Sequence, residues 1–490
     1  MGIMVFREVI ELESIWVKGI DIPRRESLQG DINTDVVVIG GGLAGILTAY
    51  HLKRNGIDCI VLEASRIGSG QTKNTTAKIT IQHELKYSQL IENFGEEKAL
   101  QYANANRRAI DEYFEIAERE SIDCMLEKKS AYLYSRKESD RLEQELLAAK
   151  KLGISAEITN KTAFPFVIRG ALKFDNQAQF HPLMFLKGIS QGINIYENTM
   201  VLSIEDDKVI TDNGTVTAER VVVATHYPFI NVPGYYFMRM HQERSYVIAL
   251  ENAAELDGVY YGIEEGEPSL RNSGSLLLVG GGAHRTGENS AGGKYENLRK
   301  TAQKFFPAGR EVANWSAQDC MTIDSVPYIG QFSSSTPNLF VATGFGKWGM
   351  TTSMVSAIVI TDLLLGKPHP YEIFSPQRFK PSVSAKSLMD ETAHAVKGLS
   401  SGIFNIPDAK LSDIPNGHGG LIEHDGEKVG VYKDGNGEVF TVSTRCTHLG
   451  CQLEWNPDEL SWDCPCHGSR FDYRGDVIDN PAMKCLHEKK

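Results

Sequence analysis

The stretch "DVVVIGGGLAG", residues 35 to 45, constrains the fold of this chain more than any other. "VVVI" reads as a strand, a run of three glycines as a turn, "LAGILTAYHLKRNG" as a helix and "DCIVLEA" as a second strand, all within about thirty residues. That order is a βαβ unit, which requires a parallel sheet covered by helices. Gly40, Gly42 and Gly45 stand as G-x-G-x-x-G at the strand-to-helix turn, and Glu63 closes the second strand about twenty residues on. Glycines there let the backbone approach a pyrophosphate at the helix N-terminus, while the carboxylate accepts from a ribose hydroxyl. A glycine-rich turn without a ligand is the alternative.

A chain of 490 residues exceeds one core; at roughly 150 residues per domain it holds about three units. Its net charge of -12, with no long Lys/Arg run, argues against a nucleic-acid partner. "MGIMVFREVIELES" has no basic region followed by an apolar run, so it does not read as a secretory signal. The pair Arg24-Arg25 lacks the apolar segment a twin-arginine signal needs. No uninterrupted apolar stretch is long enough for a transmembrane helix. The expectation is a cytoplasmic protein, with peripheral membrane contact compatible with the sequence.

Residues 1–32 read as a leader. Residues 33–90, 150–235 and 325–366 read as a discontinuous nucleotide-binding domain, interrupted by helical and substrate-domain segments at 91–149 and 236–324. Ile110, Tyr113, Phe114 and Ala117 share one face of a helix starting near Glu96, and "ESDRLEQELLAAKKLG" is a second helix with a glycine stop. The middle of the chain, rich in short apolar strands, predicts a mixed or antiparallel sheet. "KPSVSAKSLMDETAHAVKGLSSG" lies in a linker, 367–402. Beyond it, Asp-Gly and Asn-Gly pairs mark hairpins of a small β domain, 403–490.

That last unit carries "CTHLGC" at 446–451 and "CPCHGS" at 464–469. Five of the eight cysteines fall in the final forty-five residues, which in a reducing compartment reads as metal binding. Cys446 and His448 form one mixed box, Cys464 and His467 the other. A Rieske [2Fe-2S] centre needs two Cys on one iron and two His on the other. A structural zinc also accepts two of each, but zinc loops usually pair like ligands within a loop.

The two boxes resemble those of the Rieske family in its respiratory, quinol-oxidising form. The resemblance implies Cys446, His448, Cys464 and His467 as iron ligands and a Cys451–Cys466 disulfide tying the loops together. It implies a hydrogen bond from Ser469 to the cluster, while Phe471 replaces the family's tyrosine, so one hydrogen bond that raises the potential is lost. The expected potential lies below the respiratory members, within roughly -150 to +300 mV.

The long polar loop "RIGSGQTKNTTAKIT", 66–80, after the βαβ unit suits a dinucleotide longer than NAD. Over about 33–366 the chain resembles the D-amino-acid oxidase family, which includes glycine oxidase and amine oxidoreductases. The implied architecture is α/β plus β: a Rossmann-like FAD-binding domain with an inserted mixed or antiparallel substrate domain, followed by an all-β Rieske domain. Implied FAD contacts are Ala64, Gly70, Thr72, Thr75, Thr76 and Ala77 in and before the loop, Val201 at the adenine, and Ala224 and Thr225 at the pyrophosphate. "GFGKWG" could be a second nucleotide turn; the family match reads Gly344, Gly346, Gly349, Met350 and Thr351 as the segment meeting the flavin pyrimidine edge. A helix starting there would stabilise negative charge on reduced flavin.

Amino-acid oxidases of this family usually carry an arginine before "T-x-D-x-x-P"; here the residues are "AQDC". His241, Arg244 and Arg285 are the candidate substrate contacts. The expected activity is that of a dehydrogenase rather than an oxidase, passing electrons from a small amine or amino-acid-like reductant through FAD and the cluster to an external one-electron acceptor or quinone. The alternative is a reductase component or redox sensor whose Rieske domain receives electrons from a partner.

Overall fold

The computed structural model describes residues 13–137, 140–378 and 409–487. Of the linker expected at 367–402, residues 379–402 lie outside the described residues.

Strand β1 (Ile32–Ile39), helix α1 (Leu43–Arg54) and strand β2 (Cys59–Leu62) form the βαβ unit, with β1 and β2 parallel and Val36 opposite Cys59. The first half of β1 alternates between half-buried and exposed, and its last four residues are all buried. The strand therefore leaves the surface and ends inside, where the glycine turn begins. It sits centrally in an eight-stranded sheet, paired in parallel with Thr215–Val223 on its other side. The C-terminal helix of this domain, α2 (Gly349–Leu364), is buried on nearly all sides and packs on α1.

A nine-stranded mixed sheet makes the second layer. At its edge, labelled by residue range, lie β3 (Met240–Glu251), β4 (Leu276–Arg285) and β5 (Arg310–Thr322), in the spatial order β5-β3-β4. The strands Glu157–Thr159 and Gly170–Gln179, expected within the nucleotide-binding segment 150–235, pair into this sheet instead. The chain returns to the nucleotide-binding sheet only at Asn194–Tyr196.

The third unit holds a three-stranded sheet (His418–His424, Glu427–Lys433, Val439–Ser443) and a four-stranded one built from Glu454 to Asp479. Asp425 and Gly426 both take positive φ in the first hairpin, the mirror-image turn an Asp-Gly pair favours. No described helix is long and apolar enough to cross a membrane.

The pairing of β3 with β5 positions the site. Opposed residues of an antiparallel pair share a face. Glu243, Ser245 and Val247 stand opposite Asp319, Ala317 and Trp315 on one face; Gln242, Arg244 and Tyr246 stand opposite Cys320, Gln318 and Ser316 on the other. The first face looks into the nucleotide-binding side, the second onto the C-terminal domain.

Candidate functional site: a dinucleotide cavity backed by two cysteine–histidine loops

The glycine turn is sterically closed to any other residue. A Cβ on Gly40, whose φ is +109°, would lie 2.5 Å from the Ala224 carbonyl oxygen, and one on Gly45 would lie 1.9 Å from the Gly40 oxygen. Glu63 accepts from the Gly41 amide at 2.6 Å and the Ser65 amide at 2.8 Å. Burial pushes its carboxyl up, with those two amides opposing.

A cavity of about 1160 Å³ opens from this turn. Gly40, Gly42, Glu63, Ala64, Gly70, Thr72, Thr75, Thr76, Val201, Ala224, Thr225, Gly346, Gly349 and Met350 all line it. Gly45 lies beneath the turn and Ala77 is buried. Gly344 borders an adjoining cavity of about 400 Å³. Thr351 spends its hydroxyl on the Thr80 backbone, accepting from N at 2.9 Å and donating to O at 3.1 Å. That pair locks the start of α2 to the end of the polar loop. Beyond the turn, the cavity runs along the sheet past Ser245, Val247, Ala317 and Asp319, and Val477–Met483 of the C-terminal domain form part of its wall.

The two cysteine–histidine loops are built alike. The Gly450 amide donates to Cys446 O at 2.9 Å and the Gly468 amide to Cys464 O at 2.9 Å; the Cys446 amide donates to Cys451 O and the Cys464 amide to Ser469 O, each at 2.9 Å. Each loop turns on a glycine with φ +80°. Cys451 and Cys466 are joined by a disulfide with Cα atoms 6.6 Å apart. The Cys446 and Cys464 thiols are buried and close enough to share a hydrogen bond, and Ser469 adds another to Cys446. The sulfurs of Cys451, Cys464 and Cys466 also cluster within 4.8 Å, but two of the three are spent on the disulfide. His448 and His467 face each other edge to face with ring centroids 5.0 Å apart. His448 Nε2 donates to Asn231 Oδ1 at 2.9 Å, while its Nδ1 is buried with no hydrogen-bond partner among the described residues. Two thiols, an orphaned imidazole nitrogen and a second imidazole form a donor set that fits a [2Fe-2S] cluster with mixed ligation.

The candidate substrate contacts fall elsewhere. Arg244 lies on the face of β3 turned away from the cavity; its guanidinium grips Glu459 with both Nε, at 3.1 Å, and Nη2. Arg285 donates to Pro465 O at 3.0 Å and Cys466 O at 3.2 Å, so it holds the second loop. His241 does not line the cavity and pairs with Glu243 at 3.5 Å. Burial would raise the Glu243 carboxyl, but His241 and Lys347, the latter at 3.0 Å, hold it down to about 2. Arg244 and Arg285 are thus interdomain contacts rather than pocket residues: strand alternation turns Arg244 to the C-terminal domain, and Arg285, the last residue of β4, reaches the second loop from the strand's end.

Several residues that sequence reasoning passed over make the same junction. Gln318 Nε2 donates to Gln242 Oε1 and to Gly468 O, both at 2.7 Å; Gln242 Nε2 donates to His467 O at 2.8 Å and Asn480 O at 3.0 Å. Gln71, in the polar loop beside the cavity, accepts from the Gln318 amide at 2.8 Å and donates to Asp479 at 2.9 Å. Asn480 donates to Thr225 O and Tyr227 O, both at 2.8 Å. A Cβ on Gly468 would meet Gln242 at 2.5 Å, so the second loop sits directly on β3. The one signal in the sequence was the density of polar residues in "MHQERSY" and "WSAQDC", too high for a strand with one face in an apolar core.

Residues 35–363 match the FAD dependent oxidoreductase family, DAO, and residues 405–489 match the Rieske [2Fe-2S] domain. A Bacillus subtilis (strain 168) protein named as a Rieske 2Fe-2S iron-sulfur protein, YhfW, is 38% identical over 494 residues, 97% of this chain and 97% of its own length. Gamma-glutamylputrescine oxidoreductase of Escherichia coli (strain K12) is 25% identical over 398 residues, 74% of this chain and 91% of its own. The crystal structure of glycine oxidase from Geobacillus kaustophilus superposes with a TM-score of 0.59 at 21% identity, over 71% of this chain and 99% of that one. The glycine cradle and the mixed donor set agree with both matched families, and the chain belongs to the FAD dependent oxidoreductases of the DAO family, binding FAD there and a [2Fe-2S] cluster in a C-terminal Rieske domain.

Proposed function

We propose that this oxidoreductase is a dehydrogenase for a small amine or amino-acid-like reductant, whose electrons leave through the Rieske domain to an external one-electron acceptor or quinone. In this reading Cys446, His448, Cys464 and His467 are the iron ligands and Gly40, Gly42, Gly45 and Glu63 hold the dinucleotide. When bound, FAD takes two electrons from a substrate and can release them singly, and a [2Fe-2S] cluster carries one at a time. The observation that carries the proposal is the shared strand pair: Ser245, Val247, Ala317 and Asp319 of β3 and β5 line the cavity, and Gln242 and Gln318 of the same two strands hold the loop bearing Cys464 and His467. An oxidase that returns its electrons to dioxygen has no use for a one-electron carrier fixed there.

The test is an anaerobic screen of amines, amino acids and hydroxy acids, following flavin bleaching and the EPR signal of the reduced cluster in the same sample. A substrate that bleaches the flavin is expected to raise the cluster signal as well. A substrate that bleaches it while the cluster stays oxidised sinks the proposal.

The dinucleotide assignment has its own test. Glu63 is buried, accepts two backbone amides and faces the cavity. A hydrogen bond to a charged group contributes about 1.5–3 kcal/mol, so Glu63→Ala is expected to weaken FAD binding by about ten- to a hundredfold. Titration of the flavin-depleted protein with FAD, followed by flavin fluorescence, measures it.

A further inference from the structure

The cavity is charged unevenly. At the end away from the glycine turn, Asp319 projects from β5 on the cavity face, opposite Glu243. Its carboxylate accepts a hydrogen bond from the Ser245 hydroxyl, at 3.5 Å, and Lys347 and Arg244 act on it at longer range, Arg244 being engaged with Glu459. The nearest ammonium, Lys347, is spent on Glu243 at 3.0 Å. Three carboxylates, Glu243, Glu84 and Asp319, act on that single ammonium and raise its pKa against the effect of burial. Lys78 also lines this stretch; it donates to Ser269, and burial with Arg271 pushes it down to about 7, so it offsets less than a full charge near neutral pH. Burial likewise pushes the Asp319 carboxyl up to about 7, the mark of an acid held off water without a cation of its own.

The approach to this end is acidic too. The segment "GIEEGEP" places Glu264, Glu265 and Glu267 on the cavity lining. Arg136 pairs with Glu267 at 3.2 Å, leaving Glu264 and Glu265 as an anionic rim. Lys73 and Lys294 also line the cavity, so the excess of negative charge is local, and it is there that a ligand of the opposite sign is concentrated.

We propose that the substrate is a cationic amine lacking an α-carboxylate, and that Asp319 receives its ammonium group. The inference rests on the reading of this cavity as an amine-oxidising site. A carboxylate at the same position would face Asp319 and Glu243 across a low-dielectric space, where like charges are disfavoured. Specificity here is therefore exclusion of amino acids as much as attraction of amines.

The test uses the full-length protein with both cofactors bound, kept anaerobic. Perturbation of the oxidised flavin spectrum is titrated with four probes: butyrate, norvaline, which is butylamine with an α-carboxylate added, butylamine and putrescine. Affinity is expected to rise with positive charge, butylamine binding about tenfold or more tighter than norvaline. Asp319→Asn is expected to weaken both amines about tenfold and leave butyrate unchanged, and Asp319→Glu to restore the order. Raising the ionic strength should weaken the amines most in the wild-type protein, a readout that needs no variant to fold. The proposal is overturned if the carboxylates bind as tightly as the amines, or if Asp319→Asn keeps its flavin content and its amine affinity. Because these titrations require no electron transfer, amines that bind through Asp319 without reducing the cluster would sink only the electron-exit reading. An amino acid that reduces flavin and cluster alike, with Asp319→Asn unaffected, would sink only this one.

Discussion

Replacing Cys446 with alanine is expected to abolish the cluster's EPR signal and cut electron delivery to a one-electron acceptor about a hundredfold or more, while the substrate still bleaches the flavin at the wild-type rate. The size follows from the loss of one of the two proposed thiolate ligands, which should exceed the tenfold to hundredfold typical of losing a mere outer partner. Survival of the flavin half follows from geometry. Cys446 is 3% exposed within the C-terminal domain's own core, and among the described residues the cavity touches that domain only between Val477 and Met483. The variant should also stay docked, because the second loop is held by Arg285, Gln242 and Gln318 and remains tied to the first by Cys451–Cys466. Stopped-flow flavin absorbance under anaerobic conditions, paired with acceptor turnover, separates the two halves. Unchanged turnover with the acceptor would show that the cluster lies off the electron route.

The parts legible in the sequence are those in which backbone chemistry leaves one solution. Gly40 and Gly45 sit where any Cβ would strike the neighbouring carbonyl, so their spacing announces the turn wherever it occurs. The mixed Cys-His boxes are equally local, each loop closing on itself through an amide four residues on. Sheet membership is not local. Gly170–Gln179 reads as a strand from its sequence, but only its partners Glu127–Ser135 and Lys78–Ile79 show which sheet it joins. The same holds for Arg244 and Arg285. Alternation along β3 tells which residues share a face, yet a half-buried polar side chain looks alike in sequence whether a substrate or a second domain covers it. Gln71 was hidden for another reason: in a loop whose neighbours line the cavity, nothing marked one glutamine as the link to Asp479, more than four hundred residues away.

Arg244→Met is expected to be among the most destabilising single changes in the molecule, and the reason lies in how its charge is shared. Arg244 is 1% exposed and grips Glu459, which also meets Arg470 at 3.1 Å; Arg470 reaches Asp463 and Asp479, both at 3.0 Å. Removing one member of a buried charge network strands its partner, at a cost of about 3–5 kcal/mol, whereas removing both can be nearly neutral. Burial would raise the Glu459 carboxyl, but Arg244 and Arg470 outweigh it and hold it down to about 2. Against an ordinary glutamate value of about 4.3, that depression stabilises the docked fold above pH 4.3 and is lost as pH falls through about 2. Without Arg244 the folded-state value rises, so the acid-side loss should begin at higher pH than in the wild type. Arg244→Met combined with Glu459→Gln should recover part of the stability lost by the single change, because the stranded carboxylate is gone. Thermal unfolding followed by flavin fluorescence and by the cluster's visible circular dichroism, across pH, measures the wild type, Arg244→Met, Glu459→Gln and the double variant. If the double variant is as unstable as the sum of its singles, the two side chains act independently and the junction is held by the glutamine amides on β3 and β5 instead.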